Sequence, residues 1–208
     1  TELRAEFNGT RMQLRSATDE ALPARLDIEM DDLGLWQPGS HGALSLQAAI
    51  MPGWDYFSVD GTLQQLHWQG LKIGSGSIKG NYQLALADKF SLEVSIADLA
   101  VAGLEFDSAL LAASGDTTRL TTSLRSRGDV EGLLEVSARS GAGGAWTGEL
   151  AATTLQTPQG AWYLGEPVKL EFAPSPARLR LAPHCWSSGQ YRLCPGDTLL
   201  AEQGRASL

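Results

Sequence analysis

The chain has 208 residues, of which 43% are hydrophobic and 19% charged, and its formal net charge is −8. This balance is typical of a folded protein and disfavours intrinsic disorder. Its basic residues are few and scattered, which excludes a nucleic-acid partner, because such a partner needs a basic patch that neutralises phosphates. No apolar run reaches the roughly 18 residues that a membrane-spanning helix needs.

Strands dominate the predicted elements, and the one helical candidate, residues 17–24, is cut short by Pro23. Along the rest of the chain, apolar and polar residues alternate with a period of two, which places the apolar side chains on one face of a strand. These alternating apolar residues are Tyr82, Leu84 and Leu86; Leu92, Val94 and Ile96; Val168, Leu170 and Phe172; and Leu179 and Leu181. Glycines such as Gly61 and Gly80 fall between alternating runs and predict turns. The sequence predicts about a dozen strands in an antiparallel sheet, sandwich or barrel.

An internal repeat recurs at a spacing of 33 residues. Its three copies begin at Leu33–Leu35, Leu66–Trp68 and Leu99–Val101. In the second and third copies a glycine, Gly70 or Gly103, interrupts the alternation, which predicts a bulge or a bend. Repeats of this length favour a quasi-linear stack over a closed barrel. We therefore expect residues 1–208 to form a single elongated β-repeat segment of a longer protein.

Two cysteines, Cys185 and Cys194, flank the turn-forming residues 187–189. A hairpin at this turn would bring the two thiols to bonding distance, and the resulting disulfide would persist only in an oxidising compartment. The alternative is a pair of free buried thiols. Zinc is disfavoured, because His184 is adjacent to Cys185 while a fourth ligand at metal spacing is missing.

The sequence predicts neither an enzyme nor a cofactor or metal site. His41, His67 and His184 do not stand at metal-ligand spacing, and we expect His67 to face solvent. No nucleophile elbow or zinc-protease motif occurs. The stretch of residues 74–80, GSGSIKG, lacks the order of a phosphate-binding loop and predicts a hairpin turn instead.

Six segments between about residue 30 and residue 195 carry a resemblance to a known family: Asp32–Gly39, Gly42–Leu46, Leu66–Leu71, Gly160–Leu164, Glu166–Val168 and Cys185–Cys194. In their order and spacing they resemble the TamB family, among the AsmA-like bridge-type proteins of Gram-negative bacteria. The resemblance implies a periplasmic segment whose parent protein is anchored in the inner membrane and works with a TamA-type outer-membrane barrel. It also implies a long curled antiparallel or mixed sheet, the β-taco, which forms a trough with an apolar interior.

The function that the resemblance implies is phospholipid transport between the inner and outer membranes, assembly of outer-membrane proteins and autotransporters, or both. A sheet with one apolar face must hide that face, and a groove hides it from bulk water while admitting acyl chains or unfolded outer-membrane protein strands. The residues expected to line the groove are Tyr82, Leu84, Leu86, Leu92, Val94, Ile96, Leu99, Val101, Leu104 and Phe106. The alternative is a structural or adhesive β-repeat with a packed interior, such as an autotransporter passenger domain.

Overall fold

The computed structural model of the chain describes residues 2–15, 23–51, 53, 55–84, 88–174, 177–195 and 198–202. The described residues form eighteen β-strands, with short 3-10 turns and no α-helix among them. The chain divides into two compact units, Thr1–Ala112 and Ala113–Leu208, which we call unit 1 and unit 2. The predicted all-β class is confirmed. The helical candidate at residues 17–24 lies mostly outside the described residues.

The strands that begin in unit 1 are long, whereas most of those that begin in unit 2 are short. The former are β1 (Glu2–Phe7), β2 (Thr10–Arg15), β3 (Ala24–Met30), β4 (His41–Ile50), β5 (Tyr56–Trp68), β6 (Leu71–Gln83), β7 (Lys89–Val101) and β8 (Leu104–Gly115). The latter are β9 (Arg119–Gly128), β10 (Glu131–Ser140), β11 (Trp146–Leu150), β12 (Thr153–Thr157), β13 (Gly160–Leu164), β14 (Val168–Pro174), β15 (Ala177–Leu181), β16 (Trp186–Ser188), β17 (Tyr191–Leu193) and β18 (Thr198–Glu202).

In unit 1, strands β1 to β7 form an antiparallel meander in which each strand pairs with the next. Two-residue turns at Gln69–Gly70 and Ala102–Gly103 follow β5 and β7, and all four residues have positive φ. This is the type I′ geometry, which matches the twist of the flanking strands. The bulge or bend predicted at Gly70 and Gly103 is therefore wrong, because each glycine lies in a turn where a strand has ended. The 33-residue spacing of the second and third copies is the distance between these two turns, whereas the first copy, Leu33–Leu35, lies in a 3-10 turn.

A bulge does occur in β5, shortly before the Gln69–Gly70 turn. Gln65 and Leu66 together oppose Gly42 of β4, and Gln65 has a left-handed φ of 50°. The hairpin turn predicted for residues 74–80 is also wrong, because these residues lie within β6. Gly61 and Gly80 likewise lie inside strands rather than between them. In these strands glycine takes the place of an apolar side chain, so the alternation of residue types is broken while the strand continues.

In unit 2 three long antiparallel strands are each interrupted near the middle, at residues 151–152, 165–167 and 182–185. Each half keeps its own partner: β10 pairs with both β11 and β12, β11 pairs with β14, and β12 pairs with β13. The next pairs, β14–β15 and β13–β16, repeat this arrangement. These interruptions explain why the structure has more strands than the dozen predicted, since a three-residue strand carries no visible alternation.

The core of unit 2 lies beside these interruptions. Leu150, Leu164 and Val168 are buried together, and Trp186 and Leu181 are among the residues packed against them. The structure joins Cys185 and Cys194 in a disulfide that closes the β16–β17 hairpin. Since Trp186 follows Cys185 directly, this disulfide holds the hairpin against the core.

Candidate functional site

The strand register of unit 1 places apolar side chains in continuous rows across seven strands. One row runs from Ala5 through Met12, Ile28, Leu46, Gly61 and Ile78 to Val94. Parallel rows hold the other members: Leu3, Phe7, Leu14, Leu26, Met30, Leu44, Ala48, Ile50, Phe57, Val59, Leu63, Gly76, Gly80, Tyr82, Phe90, Leu92 and Ile96. We call this surface the apolar face. With strands about 4.8 Å apart, it is roughly 30 Å wide.

The opposite side of the same strands is polar. A row on it runs through Arg4, Gln13, Asp27, Gln47, Asp60, Lys79 and Glu93. Arg11 of β2 forms ion pairs with Glu29 and Asp31, at 3.2 and 3.1 Å. All three side chains are more than half exposed, so these pairs add little stability. This polar face therefore suits contact with water.

The apolar face is open. Met12 is 40% exposed, Leu14 43% and Phe57 39%. Among the described residues of unit 1, Ile73 is the only buried hydrophobic residue, and it lies outside the rows of the apolar face. A contiguous apolar surface of this kind on a folded protein marks a binding site.

Two contacts fix the borders of the apolar face. Near its first strands, the Trp36 indole donates a hydrogen bond of 2.6 Å to Thr10 Oγ1 and meets the Phe7 ring edge-to-face at 5.8 Å. Trp36 directly follows the 3-10 turn Leu33–Leu35. At the far border, the Tyr82 hydroxyl donates a hydrogen bond of 2.9 Å to the Asp88 carboxylate, which raises the pKa of Tyr82.

Beyond one end of the apolar rows, unit 1 contains a cleft of about 930 Å³, which we call the polar cleft. Its carboxylates are Asp31, Asp32, Asp98, Glu105 and Asp107, and its basic side chains are His41, His67 and Lys72. His41 and His67 lie directly opposite each other on β4 and β5, and His67 pairs with Lys72 of β6. Among the described residues, no group of three potential ligands is arranged to hold a metal ion.

The family model described as TamB, N-terminal domain, matches residues 2–208. The chain belongs to the TamB family. A TamB relative, the translocation and assembly module subunit TamB of Haemophilus influenzae, is 23% identical over 201 residues. The alignment covers 93% of this chain and 15% of that protein, so the chain spans about one seventh of the relative's length. No solved structure is significantly similar to the chain. Among the described residues, no helix is long and apolar enough to cross a membrane.

The described residues among those predicted to line the TamB-type groove fall in four places. Tyr82, Leu92, Val94 and Ile96 lie on the apolar face. Leu99 and Phe106 line the polar cleft, and Val101 and Leu104, at 37% and 39% exposure, flank the turn between β7 and β8. Leu84 follows the end of β6 and is 49% exposed, and Leu86 lies outside the described residues. The lining role of all ten residues remains a prediction.

The sequence did not predict the polar cleft. It also did not predict that strands β1 to β3 contribute to the apolar face. His67 is exposed, as expected, and it lines the cleft together with His41 and Lys72. Strands β1 to β3 do alternate, as Leu3, Ala5 and Phe7 show, so the same period-two test would have found them. The cleft had no such signal, because it is built from residues of several strands whose register the sequence does not give.

Proposed function

We propose that the apolar face of unit 1 binds the hydrocarbon chains of phospholipids in the periplasm. The chain would serve as one segment of a TamB-type protein that is anchored in the inner membrane and works with a TamA-type outer-membrane barrel. Its parent would pass phospholipid between the two membranes and support assembly of outer-membrane proteins, including autotransporters. The observation that carries this proposal is the continuous, partly exposed apolar face across seven strands.

The physical basis is non-directional apolar contact. Each methylene that leaves water contributes about 0.8 kcal/mol. Along β7 the face extends from Phe90 to Ile96, which at about 3.3 Å per residue is roughly 20 Å. A chain laid along this length would therefore be held by several kcal/mol without polar recognition. Moving a hydrocarbon chain between apolar surfaces breaks no covalent bond, so the proposed role needs no catalytic group.

The disulfide supports the proposed compartment. Cys185 and Cys194 are bonded in the structure. Such bonds persist in the bacterial periplasm and are rare in the cytosol, where thiols are kept reduced. A periplasmic segment is thus consistent with the cysteine chemistry of unit 2.

A charge on the apolar face tests the proposal. In the Val94→Glu variant, a bound chain would have to desolvate a carboxylate, which is costly without a partner. We expect this variant to bind a diacyl phospholipid at least about tenfold more weakly than the unaltered chain, as titrated by native mass spectrometry.

The matched control is Ser95→Glu, which adds the same charge to the adjacent residue on the opposite face of β7. Circular dichroism should show that both variants are folded. Equal lipid binding by the two variants would contradict the proposal. Failure of the unaltered chain to bind any lipid would favour the alternative of a structural β-repeat.

A second guest is supported by the exposure of β1. All six residues of this strand are exposed, including Leu3 at 62% and Phe7 at 70%. The pairing of β1 with β2 uses one of its two edges, and the second edge of a strand can accept another strand by backbone hydrogen bonding. We therefore propose a strand of an unfolded outer-membrane protein as a second ligand. A peptide with the alternation of a barrel strand should then protect the amides of β1 from hydrogen exchange, whereas a phospholipid should not.

A further inference from the structure

The polar cleft begins where the apolar rows end. The last complete row of the apolar face runs through Leu44, Leu63, Gly76 and Ile96. The next residues along β4 and β5, Ala43 and Gln64, line the cleft, and Asp98 of β7 lies two residues beyond Ile96. A lipid whose chains follow the rows would therefore reach the cleft with its polar end.

The floor of the cleft depends on an unusual backbone. Asp98 has a left-handed φ of 54°, and so does Gln65, 33 residues earlier, at 50°. Between them lies Gly74, where an added Cβ would be 2.8 Å from the Asp98 carboxylate oxygen. Only glycine leaves room for the Asp98 side chain there. The repeat thus places this carboxylate at a fixed position over β6.

The charges of the cleft favour a cation. The Asp31 carboxylate is paired with Arg11, and the Asp32 carboxylate accepts a hydrogen bond of 2.8 Å from the Gly34 amide. Among the described residues, Asp98 and Asp107 have no ion-pair or side-chain hydrogen-bond partner. Both are exposed, so their charges are available to a ligand. An ammonium group, with three donors and a positive charge, complements them.

The same cleft also contains a smaller basic side. Lys72 of β6 pairs across the sheet with His67, which pairs with His41. A lysine ammonium binds phosphate as a point charge. A headgroup that carries a phosphodiester next to an ammonium would therefore find an opposite charge for each of its two ends. A headgroup with the phosphate alone would meet an excess of carboxylates.

We propose that the polar cleft is a headgroup site selective for phospholipids with a terminal ammonium, such as a phosphoethanolamine headgroup, over lipids with an anionic headgroup. This inference rests on the proposed binding of hydrocarbon chains by the apolar face. It assigns the specificity to Asp98 and Asp107 and the affinity to the apolar rows. The two contributions can therefore be separated by experiment.

The test compares two diacyl lipids with identical chains, one with a phosphoethanolamine and one with a phosphoglycerol headgroup, titrated against the 208-residue chain by native mass spectrometry. We expect about fivefold tighter binding of the ethanolamine lipid, the ratio that corresponds to about 1 kcal/mol for one exposed ion pair. The Asp98→Asn/Asp107→Asn variant should lower this ratio to about one while still binding both lipids. Asparagine tolerates the left-handed conformation at residue 98, so the backbone should be kept.

The control variant is Asp27→Asn/Asp60→Asn, which removes two charges from the polar face of the same unit and should keep the preference. Equal binding of both lipids by the unaltered chain would overturn the headgroup site and leave the hydrocarbon site standing. Absence of binding by either lipid would overturn both. Glycerophosphoethanolamine, which has no acyl chains, should bind far more weakly than the lipid; equal affinity would mean that the cleft holds a free phosphoester and would contradict a lipid site.

Discussion

On β5 and β6, glycines of the apolar face lie between bulky apolar side chains of the neighbouring strands. Gly61 of β5 lies between Leu46 and Ile78, and Gly80 of β6 lies between Val59 and Leu92. An added Cβ at Gly61 would be 2.9 Å from Ile78 Cγ2 and 3.0 Å from Leu46 Cδ1. The neighbouring side chains therefore lean over the glycine. Contacts within the sheet therefore bury part of these apolar side chains.

This packing predicts different effects for two glycines on the same face. Gly61→Ala should lower the free energy of unfolding by about 1–3 kcal/mol, since the new methyl group overfills its surroundings. Gly76→Ala should be neutral or stabilising by up to about 1 kcal/mol, because its Cβ would meet only ordinary contacts, Ser95 O at 3.5 Å and Leu63 Cβ at 3.6 Å. Urea unfolding followed by circular dichroism measures both values.

Each variant serves as the control for the other, because both replace a strand glycine of unit 1 by alanine. Equal changes in stability would mean that the effect comes from backbone entropy and not from contacts with the side chains of Leu46 and Ile78. A destabilised Gly76→Ala with an unaffected Gly61→Ala would contradict the packing described.

Hairpins are the elements from which unit 1 is built. The turns at Asn8–Gly9, Gln69–Gly70 and Ala102–Gly103 all have two residues of positive φ. In each the second residue is glycine, whereas the first is asparagine, glutamine or alanine. Asn-Gly is a strong hairpin signal, but Gln-Gly and Ala-Gly are not, and this is why Gly70 and Gly103 suggested an interruption within a strand. The repeat was visible in the sequence while its structural meaning was hidden by weak turn residues.

In unit 2 the smallest hairpin depends on a covalent bond. Strands β16 and β17 have three residues each, and an isolated two-stranded hairpin is marginal in water. The disulfide closes a loop with a sequence separation of 9. In the chain-entropy account, a loop of this length stabilises the fold by about 2–3 kcal/mol. The Cys185→Ser/Cys194→Ser variant should lose about this amount in urea unfolding.

Hydrogen exchange locates that loss. In the variant, amides of β16 and β17 should exchange faster, whereas those of β14 should keep most of their protection. A reducing agent should destabilise the unaltered chain and leave the variant unchanged. Unchanged stability and unchanged exchange in the variant would show that contacts of Trp186 with the core hold the hairpin without the bond.

Both units contain strands with one apolar and one polar face, but the apolar side chains are buried to different extents. In unit 2 the apolar side chains meet around Leu150, Leu164 and Val168, and the interrupted strands let them do so. In unit 1 the strands run on without such interruptions, and the apolar face stays open. The 15% of the relative's length that the chain spans means that the activity of a whole TamB protein would depend on other segments as well.

Much of this arrangement follows from period-two alternation alone. Val94 and Ile96 lie on the apolar face, where a strand with this alternation places them. The alternation of the two faces along β7 is interrupted at Asp98, which has a left-handed backbone. The sequence does not indicate this conformation, since aspartate adopts it only in particular surroundings. Leu99, the residue after Asp98, lines the polar cleft. The sequence also did not predict the strand interruptions of unit 2. The dipeptides at these points, such as Ala151–Ala152 and Ala182–Pro183, occur in many structural contexts.

The most direct measurement is photo-crosslinking in the periplasm from a full-length parent protein that carries a photoreactive residue at one position at a time. Probes at Leu92, Val94 and Ile96 should capture phospholipid, identified by mass spectrometry of the crosslinked peptide. Probes at Glu93 and Ser95, on the polar face of the same strand, should capture little. Equal capture from both faces, or capture of no lipid from the apolar face, would contradict the account.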